Sequence, residues 1–301
     1  MGFNFTDINK RGIMKSGFAD NKGAKIFYET LGDSSNESII FISGLGSQLV
    51  YWTDELCKIF IDRGFHIIRF DNRETGLSHK TPGAPPSVEE IIQNPGFQPL
   101  YTLSEMANDV VAVLDANGVE QAHVVGVSLG GMIAQTVAID HPGRTKTLTS
   151  IMSAPMSGSA IREADDEAVS ASLTMDMSDP NTYVDIQVEG YRVSSGPHFD
   201  PVYQREILQK TFDRCYHPDG WSYQMMASIA SGDRTEKLGE LTMPALVIHG
   251  GLDPLILPAG GEMTAAAIPN AKLIVYDDMG HNLPRPRWGD IAEAVAALAG
   301  R

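Results

Sequence analysis

The sequence predicts an α/β fold: a mainly parallel central sheet with helices on both faces and an inserted, mostly helical cap. Short strand-like apolar runs alternate with helix-like segments over residues 38–152 and again over residues 245–298. Such alternation is typical of a parallel sheet that is covered on both faces. Between residues 154 and 240 the alternation stops, and helix-like or irregular segments take its place. We therefore predict a core of residues 1–153 and 241–301, with residues 154–240 forming the cap.

Local patterns place the elements of the core along the chain. A β-hairpin is predicted at residues 17–31, because two strand-like runs flank Asn21-Lys22-Gly23. Thr102-Leu103-Ser104-Glu105 has the pattern of a capping box and begins a helix that Asn117-Gly118 ends. Apolar runs predict the other strands at residues 38–43, 65–71, 122–125, 145–152, 245–249 and 272–276. The other helices are predicted at residues 48–63, 87–93, 132–141, 258–267 and 288–298.

Composition and charge exclude several classes of partner. The chain has 301 residues, 43% of them hydrophobic, and a formal net charge of −15, which suits one large globular domain with an acidic surface. Such a surface repels nucleic acid and anionic membranes, so we expect neither as a partner. No apolar run approaches the roughly 18 residues that span a bilayer, and the N-terminus lacks the pattern of a secretory signal. We therefore expect a cytoplasmic protein, and the sequence leaves its oligomeric state open.

The segment Gly126-Val127-Ser128-Leu129-Gly130 predicts a reactive serine. It follows a strand-like run and precedes a helix-like one, which is the context of a nucleophile elbow with the serine at the apex of a sharp turn. Strand and helix approach each other closely around such a serine, so the flanking positions must be glycine. The helix N-terminus below the serine directs backbone N–H groups towards an anion. We therefore predict Ser128 as the nucleophile.

A serine hydroxyl needs a base that takes its proton and an acid that orients the base. Of the eight histidines, His281 lies in a loop after the last predicted strand, at the sheet edge that carries Ser128. Asp253 follows the preceding predicted strand and is the predicted acid. Asp277 and Asp278 are the alternatives, although they are too close in sequence to His281 to orient it easily. The order of nucleophile, acid and base along the chain is the one expected for this kind of elbow.

Two backbone N–H groups are predicted to bind the oxyanion that an attacked carbonyl group forms. One belongs to Leu129, which follows the nucleophile directly. The other belongs to Leu45, in the turn Ser43-Gly44-Leu45-Gly46-Ser47 after the first central strand. The glycines of this turn could also begin a dinucleotide-binding motif, but the third glycine of that motif would fall at Leu49. The sequence therefore favours an oxyanion turn.

With these motifs in family order over residues 38–287, the chain resembles the serine hydrolases of the α/β-hydrolase fold. Asp71-Asn72-Arg73-Glu74-Thr75-Gly76-Leu77-Ser78 resembles the D-x-R-x-x-G-x-S loop of the esterase-like members. Together with the elbow and Met279-Gly280-His281, this loop is most similar to that of the aclacinomycin methylesterase group. The chain departs from many members at Ser43-Gly44, where they have His-Gly. We expect the loop to be structural, with Arg73 paired to nearby carboxylates.

The resemblance implies a serine carboxylesterase that acts through an acyl-enzyme on a small to medium, fairly apolar ester. It implies no cofactor, and the two cysteines, Cys57 and Cys215, lack the spacing of metal ligands. Methionines and tyrosines are frequent in the cap and predict an adaptable apolar binding site, for which we select Met225 and Met226. The alternative is that these methionines and tyrosines form the core of the cap.

Other reactions use the same three catalytic residues. Lactone opening, carbon–carbon bond hydrolysis and perhydrolysis stay open, as does a receptor of the hydrolase fold that turns its ligand over slowly. Haloalkane dehalogenases and epoxide hydrolases also resemble this fold, but they need a carboxylate at the position of Ser128. The sequence therefore disfavours these two classes of enzyme.

Overall fold

The computed structural model describes residues 13–85, 99–156 and 176–301. Their strands are β1 (Ile13–Asn21), β2 (Ala24–Leu31), β3 (Ser38–Ile42), β4 (His66–Phe70), β5 (Ala122–Val127), β6 (Thr145–Ile151), β7 (Ala245–Gly250) and β8 (Lys272–Tyr276). All of these strands belong to one sheet, in the order β1-β2-β4-β3-β5-β6-β7-β8. β4 lies between β2 and β3, so the order in the sheet departs there from the order in the chain. The parallel central strands are joined by connections that pass over the faces of the sheet.

The sheet is antiparallel at one edge and parallel elsewhere. β1 and β2 form the predicted hairpin, and β2 pairs antiparallel with β4. The remaining neighbours, from β4 to β8, pair in parallel. The predicted fold class is thus confirmed. Because the central strands run in one direction, their carboxyl ends meet at a single edge, which is where ligands bind in such sheets.

Helices cover both faces of the sheet. In the described residues they are α1 (Asp54–Ile61), α2 (Leu103–Ala116), α3 (Leu129–Asp140), α4 (Tyr183–Ser194), α5 (Pro201–Arg214), α6 (Gly220–Ala230), α7 (Thr235–Leu238), α8 (Pro258–Ala267) and α9 (Trp288–Leu298). α2 and α3 pack on one face, while α1 and α9 pack on the other. In β3, Ile40 and Ile42 face the first pair of helices and Ile39 and Phe41 face the second. The strand is therefore a continuous apolar run, as expected of a strand buried on both faces.

The predicted helix at residues 48–63 is divided in the structure. A short 3₁₀ turn, Leu49–Tyr51, precedes α1. Thr53 separates the two, because its backbone is extended and its hydroxyl accepts a hydrogen bond from the Leu56 N–H at 3.3 Å. A capping threonine inside an amphipathic pattern thus starts a new helix rather than continuing the first one.

The start of α2 agrees with its predicted capping box. The Glu105 carboxylate accepts a hydrogen bond from the Thr102 N–H at 2.8 Å, while the Thr102 side chain accepts one from the first turn of the helix. These bonds satisfy donors that a helix N-terminus otherwise leaves open. The helix predicted at residues 87–93 lies outside the described residues.

The segment between β6 and β7 is helical where the structure describes it. Residues 176–240 contain α4 to α7 and no strand, which agrees with the predicted mostly helical insertion. The limits of the cap at residues 154 and 240 stay a prediction. Tyr183 of α4, Phe212 of α5 and Tyr216 form an aromatic cluster inside this segment. Within the described parts of the chain, no helix has the length and apolarity needed to cross a membrane.

Candidate active site

Ser128 lies between the end of β5 and the start of α3, with a φ of 55° and a ψ of −123°. A non-glycine residue in this region is strained, and such residues cluster at functional sites. The neighbouring glycines permit the turn, because a Cβ atom at Gly126 would lie 2.0 Å from the carbonyl oxygen of Gly130. A Cβ atom at Gly130 would lie 2.2 Å from the carbonyl oxygen of Ile42. Only glycine fits at these two positions, and the fit fixes the serine at the apex of the turn.

Side chains that follow three parallel strands meet at this edge of the sheet. Oγ of Ser128 lies 3.0 Å from Nε2 of His281, and Nδ1 of His281 lies 2.7 Å from Oδ2 of Asp253. Ser128 follows β5, Asp253 follows β7 and His281 follows β8. The main-chain N–H of His281 donates to the carbonyl oxygen of Ser194, at the end of α4, at 2.7 Å. The structure therefore brings the predicted nucleophile, acid and base into one hydrogen-bonded chain.

The Asp253 carboxylate is buried and fully engaged. Its Oδ1 atom accepts hydrogen bonds from the N–H groups of Leu255 and Ile256, both at 2.9 Å. Burial raises the pKa of Asp253, but the neighbouring His281 and His249 outweigh it and lower this pKa to about 2. The carboxylate is therefore ionised at neutral pH. In that state the carboxylate accepts a hydrogen bond from a protonated Nδ1 of His281. This leaves Nε2 of His281 free to accept the serine proton.

The two alternative carboxylates face other groups. Asp278 accepts a hydrogen bond from Arg287 at 2.8 Å and lies 2.7 Å from Nε2 of His198. These two hydrogen bonds lower the pKa of Asp278 to about 2. The backbone of Asp277 lies beside Gly251, where a Cβ atom would be 3.1 Å from its Cα atom. Of the three carboxylates considered, Asp253 is the one that contacts His281.

The predicted oxyanion turn lies directly against the nucleophile. A Cβ atom at Gly44 would be 3.3 Å from the Cβ atom of Ser128. Leu45 and Leu129 line the same cavity as Ser128 and His281. Within the described part of the chain, the N–H groups of Leu45 and Leu129 have no hydrogen-bond acceptor. Two unpaired donors beside a serine hydroxyl form an arrangement that can bind a negatively charged oxygen.

The cavity above Ser128 has a volume of about 270 Å³ and lies between the edge of the sheet and the helices of residues 176–240. Its lining is largely apolar and aromatic, and it includes Met132, Tyr183, Trp221 and Met225. Met225 thus lines the cavity beside Ser128, and its contact with a substrate stays a prediction. Met226, by contrast, is 2% exposed and packs in the hydrophobic core. Adjacent residues of a helix point about 100° apart, and in α6 it is Met225 that lines the cavity while Met226 packs in the core.

Sequence reasoning missed the polar residues through which the helices of residues 176–240 contact the rest of the molecule. Arg214 of α5 donates to Oδ1 of Asp71 at 2.9 Å, and both side chains are buried. An arginine in a helical pattern gives no indication of a partner so distant in sequence. The expected pairing of Arg73 was correct, since its Nε donates to Oδ2 of Asp109 at 2.7 Å in the interior. Across the described ranges, no group of three or more histidine, cysteine, aspartate or glutamate residues could hold a metal ion.

Residues 37–284 match the family of proteins with the alpha/beta hydrolase fold. The chain belongs to this family. The resemblance that its motifs predicted is thereby confirmed, and the protein is an α/β hydrolase enzyme. The match includes the elbow, the oxyanion turn and the loop of His281.

Relatives of known name extend over most of the chain. It is 28% identical over 307 residues to the rhodomycin D methylesterase DnrP of Streptomyces peucetius, covering 92% of this chain and 95% of that protein. It is 23% identical over 245 residues to 3-oxoadipate enol-lactonase 1 of Acinetobacter baylyi, covering 81% of each. A solved hydrolase from Pseudomonas aeruginosa PA01 superimposes with a TM-score of 0.71 and 24% identity, covering 96% of this chain and 99% of that one. The structural likeness supports the fold alone.

Proposed function

We propose that this α/β hydrolase is a serine carboxylesterase that acts through an acyl-enzyme, with Ser128, His281 and Asp253 as its catalytic residues. The observation that carries the proposal is the continuous hydrogen-bonded chain from Ser128 Oγ through His281 to Asp253, at 3.0 and 2.7 Å. This chain opens into a cavity with two unpaired N–H groups beside the serine. Nucleophile, base, orienting acid and oxyanion donors are the parts that acyl transfer requires.

In the first half of the reaction, Ser128 Oγ attacks the acyl carbon while its proton moves to Nε2 of His281. The carbonyl oxygen takes the electron pair of its double bond, and the N–H groups of Leu45 and Leu129 stabilise the resulting negative charge. His281 then gives its proton to the leaving alkoxide as the bond to the alcohol breaks. Asp253 holds the imidazole in the required tautomer and stabilises it while it is charged. An alcohol leaves, and the acyl group stays on Ser128.

In the second half, water takes the place of the alcohol. His281 removes a proton from the water, whose oxygen attacks the acyl carbon of the serine ester. The same two N–H groups stabilise the second oxyanion. When this intermediate collapses, His281 returns the proton to Ser128 and the carboxylic acid is released. No group outside the protein, substrate and water is needed to balance the two steps, so we propose no cofactor.

The lining of the cavity supports an apolar ester of small to medium size. Met132, Tyr183, Trp221 and Met225 offer adaptable and aromatic contacts rather than charges. The relative from Streptomyces peucetius is named a methylesterase, which supports a methyl ester of an apolar acid as one substrate class. We propose Met225 as a substrate contact and residues 154–240 as the cap that carries it. A cytoplasmic location stays a prediction.

Lactone opening is the second candidate, because the relative from Acinetobacter baylyi is named an enol-lactonase. It uses the same steps, except that the alcohol stays attached to the acyl group after the first one. A panel of methyl esters, p-nitrophenyl esters and lactones, compared by kcat/KM, separates the two activities. Turnover of every compound below about one per hour, against the usual 1–10³ s⁻¹ of enzymes, would favour a slow receptor instead.

A fluorophosphonate identifies the nucleophile in the same preparation. We expect it to label one site, Ser128, and to abolish turnover in proportion to labelling. Peptide mapping after labelling locates the modified residue. Stoichiometric labelling at another serine, or full labelling with activity retained, would contradict the proposed mechanism.

A further inference from the structure

The oxyanion turn is held from the cap by one buried amide side chain. Gln224, in α6, accepts a hydrogen bond from the Gly46 N–H at 2.8 Å and donates one to the carbonyl oxygen of Arg73 at 2.7 Å. Its side chain is fully buried. We propose that Gln224 is a positioning residue that fixes the Leu45 N–H beside Ser128, so that the oxyanion hole forms only when the cap is docked. This inference rests on the proposed function.

Two contacts within the core help to hold the ends of the turn. The Asn72 side chain donates a hydrogen bond to the carbonyl oxygen of Ser43 at 2.9 Å. The Ser47 N–H donates to the carbonyl oxygen of Gly44 at 3.1 Å, which closes the turn. Both contacts are made between residues of the core, although the Ser47 side chain also hydrogen-bonds Tyr191 of α4.

The middle of the turn depends on the cap. Its two N–H groups belong to Leu45 and Gly46, and Gln224 accepts the one of Gly46. Within the described residues the N–H of Leu45 is left without an acceptor, which is what an oxyanion donor requires. A buried N–H without a partner is unfavourable. Loss of Gln224 would therefore favour rotation of the Gly46 peptide towards another hydrogen-bond acceptor. Such a rotation would also redirect the adjacent Leu45 N–H.

The packing of α6 explains how Gln224 reaches the turn. A Cβ atom at Gly220 would lie 2.1 Å from the carbonyl oxygen of Glu74, so α6 begins in backbone contact with the core. One residue later, Trp221 covers the turn, since a Cβ atom at Gly46 would lie 3.4 Å from its Cδ1 atom. Gln224 is one helical turn beyond Gly220 and therefore lies on the same side of α6. The close approach at Gly220 sets the distance that a glutamine can bridge.

This arrangement separates two parts of the catalytic apparatus with respect to α6, although the main-chain N–H of His281 is itself bonded to Ser194 of α4. The contacts among Ser128, His281 and Asp253 involve residues of the core. The contact that orients the middle of the oxyanion turn comes from the cap. Displacement of α6 would thus leave a serine with its base but without a correctly placed oxyanion donor. Hydrolysis is then confined to the state in which the cap covers the substrate.

The test compares Gln224→Met with the wild-type enzyme on the best p-nitrophenyl ester. We expect kcat to fall by about 10- to 100-fold, because misplacement of a catalytic group by about 1 Å costs up to about 10²-fold. KM should stay within about threefold, since the interaction acts in the transition state. An alkyl trifluoromethyl ketone forms an oxyanion on addition of Ser128, so its Ki should rise in parallel with the loss of kcat. The Ki of the carboxylic acid product should not change.

Gln135→Met is the matched control. Gln135 is also a fully buried glutamine with two hydrogen bonds, to Ser150 at 3.1 Å and from Arg234 at 3.2 Å, but it does not contact the turn. We expect it to lower Tm comparably and to leave kcat within about twofold. If Gln224→Met melts at a lower temperature but keeps its kcat and its Ki for the ketone, Gln224 contributes only stability and the proposal is overturned.

Gln224→Glu provides the test if the methionine variant does not fold. A protonated carboxyl group keeps both hydrogen bonds, whereas its ionised form cannot donate to the Arg73 carbonyl oxygen. The ratio of its kcat to that of the wild type should therefore fall as pH rises, and a ratio near one at every pH would overturn the proposal. A Ser128→Ala variant that keeps about a tenth or more of the wild-type kcat would refute the proposed function instead. Inactive Ser128→Ala combined with fully active Gln224→Met would refute this inference alone.

Discussion

The edge of the sheet and the helices of residues 176–240 above it, the proposed cap, hold their side chains in different ways. In the core, close backbone contacts fix Ser128, and three hydrogen bonds fix the Asp253 carboxylate, which is 2% exposed. Among the residues of the insertion that line the cavity, Tyr191 and Gln187 are half-buried and project from a helix, whereas Met225 and Leu208 are buried. In the core, therefore, each residue type is imposed by the backbone around it. In the cap, many apolar side chains could cover the same surface.

This difference assigns separate roles to the two regions. A reaction that depends on atoms placed within a few tenths of an ångström needs the rigid edge of the sheet. Selection among esters needs only a surface of suitable shape and polarity. We therefore expect substitutions at the edge of the core to change kcat and substitutions in the cap to change the preference among substrates. Gln224 is the proposed exception, because it lies in the cap and acts on the core.

Ser128→Ala should have the largest effect. Without the hydroxyl no acyl-enzyme forms, and we expect kcat to fall by at least about 10³-fold, the remaining rate coming from the oxyanion donors and binding. KM for the ester and Tm should change little, because the strained turn loses one small group. Steady-state kinetics and a thermal melt check both parts. A variant that keeps a tenth of the wild-type kcat would place the nucleophile elsewhere.

Asp253→Asn should have the next largest effect. An amide at this position no longer favours the required tautomer of His281, so we expect kcat to fall by about 10²- to 10⁴-fold. Asp278→Asn is the control, because Asp278 pairs with Arg287 and His198. Its kcat should stay within about threefold of the wild-type value. If the two substitutions have equal effects, the acid was assigned wrongly and the two networks are not separate.

The pH dependence of kcat/KM should show one rising limb. The pKa of Asp253, about 2, lies far below the range of an assay from pH 5 to 9, so this carboxylate stays ionised throughout. His281 must be neutral to accept the serine proton, so kcat/KM should rise about tenfold per pH unit at the acidic end and then level off. His249→Asn, which leaves His281 in place, should keep the limb. A flat profile with chemistry shown to be rate-limiting would exclude His281 as the base.

The same pKa has a consequence for stability. Because the pKa of Asp253 in the folded protein, about 2, is below its ordinary value of 3.8, its ionised form contributes stability above pH 3.8. That contribution is lost as pH falls through about 2. The edge of the core should therefore loosen only in strong acid, well below the pH at which activity disappears. Activity and unfolding thus report on different groups.

The sequence predicted most of the fold and the placement of the site because both depend on local patterns. The elbow glycines lie within two residues of Ser128 in the sequence, and the alternation of strands and helices is visible in single segments. Two features that the sequence did not predict depend on single hydrogen bonds instead. Thr53 divides a helix through one capping hydrogen bond. The hydrogen bond between Gln224 and Gly46 joins residues 178 positions apart, and no periodicity reports such a pair. The catalytic roles themselves stay a proposal.

Substitutions at Met225 and Met226 test substrate contact against structural packing within the cap itself. They should have the smallest effect on activity. Met225 lines the cavity, so Met225→Ala should enlarge it and shift the ratio of kcat/KM between long and short acyl groups. We expect a shift of at least about fivefold, since one methylene in an apolar pocket is worth about 1–3 kcal/mol. Met226 is buried in the core, so Met226→Ala should cost about 2–5 kcal/mol of stability and leave that ratio unchanged. Kinetics on an acyl-length series and denaturant unfolding measure both variants. If Met226→Ala changes the selectivity and Met225→Ala does not, the side of α6 that faces the substrate has been assigned wrongly, and with it the side from which Gln224 is proposed to act.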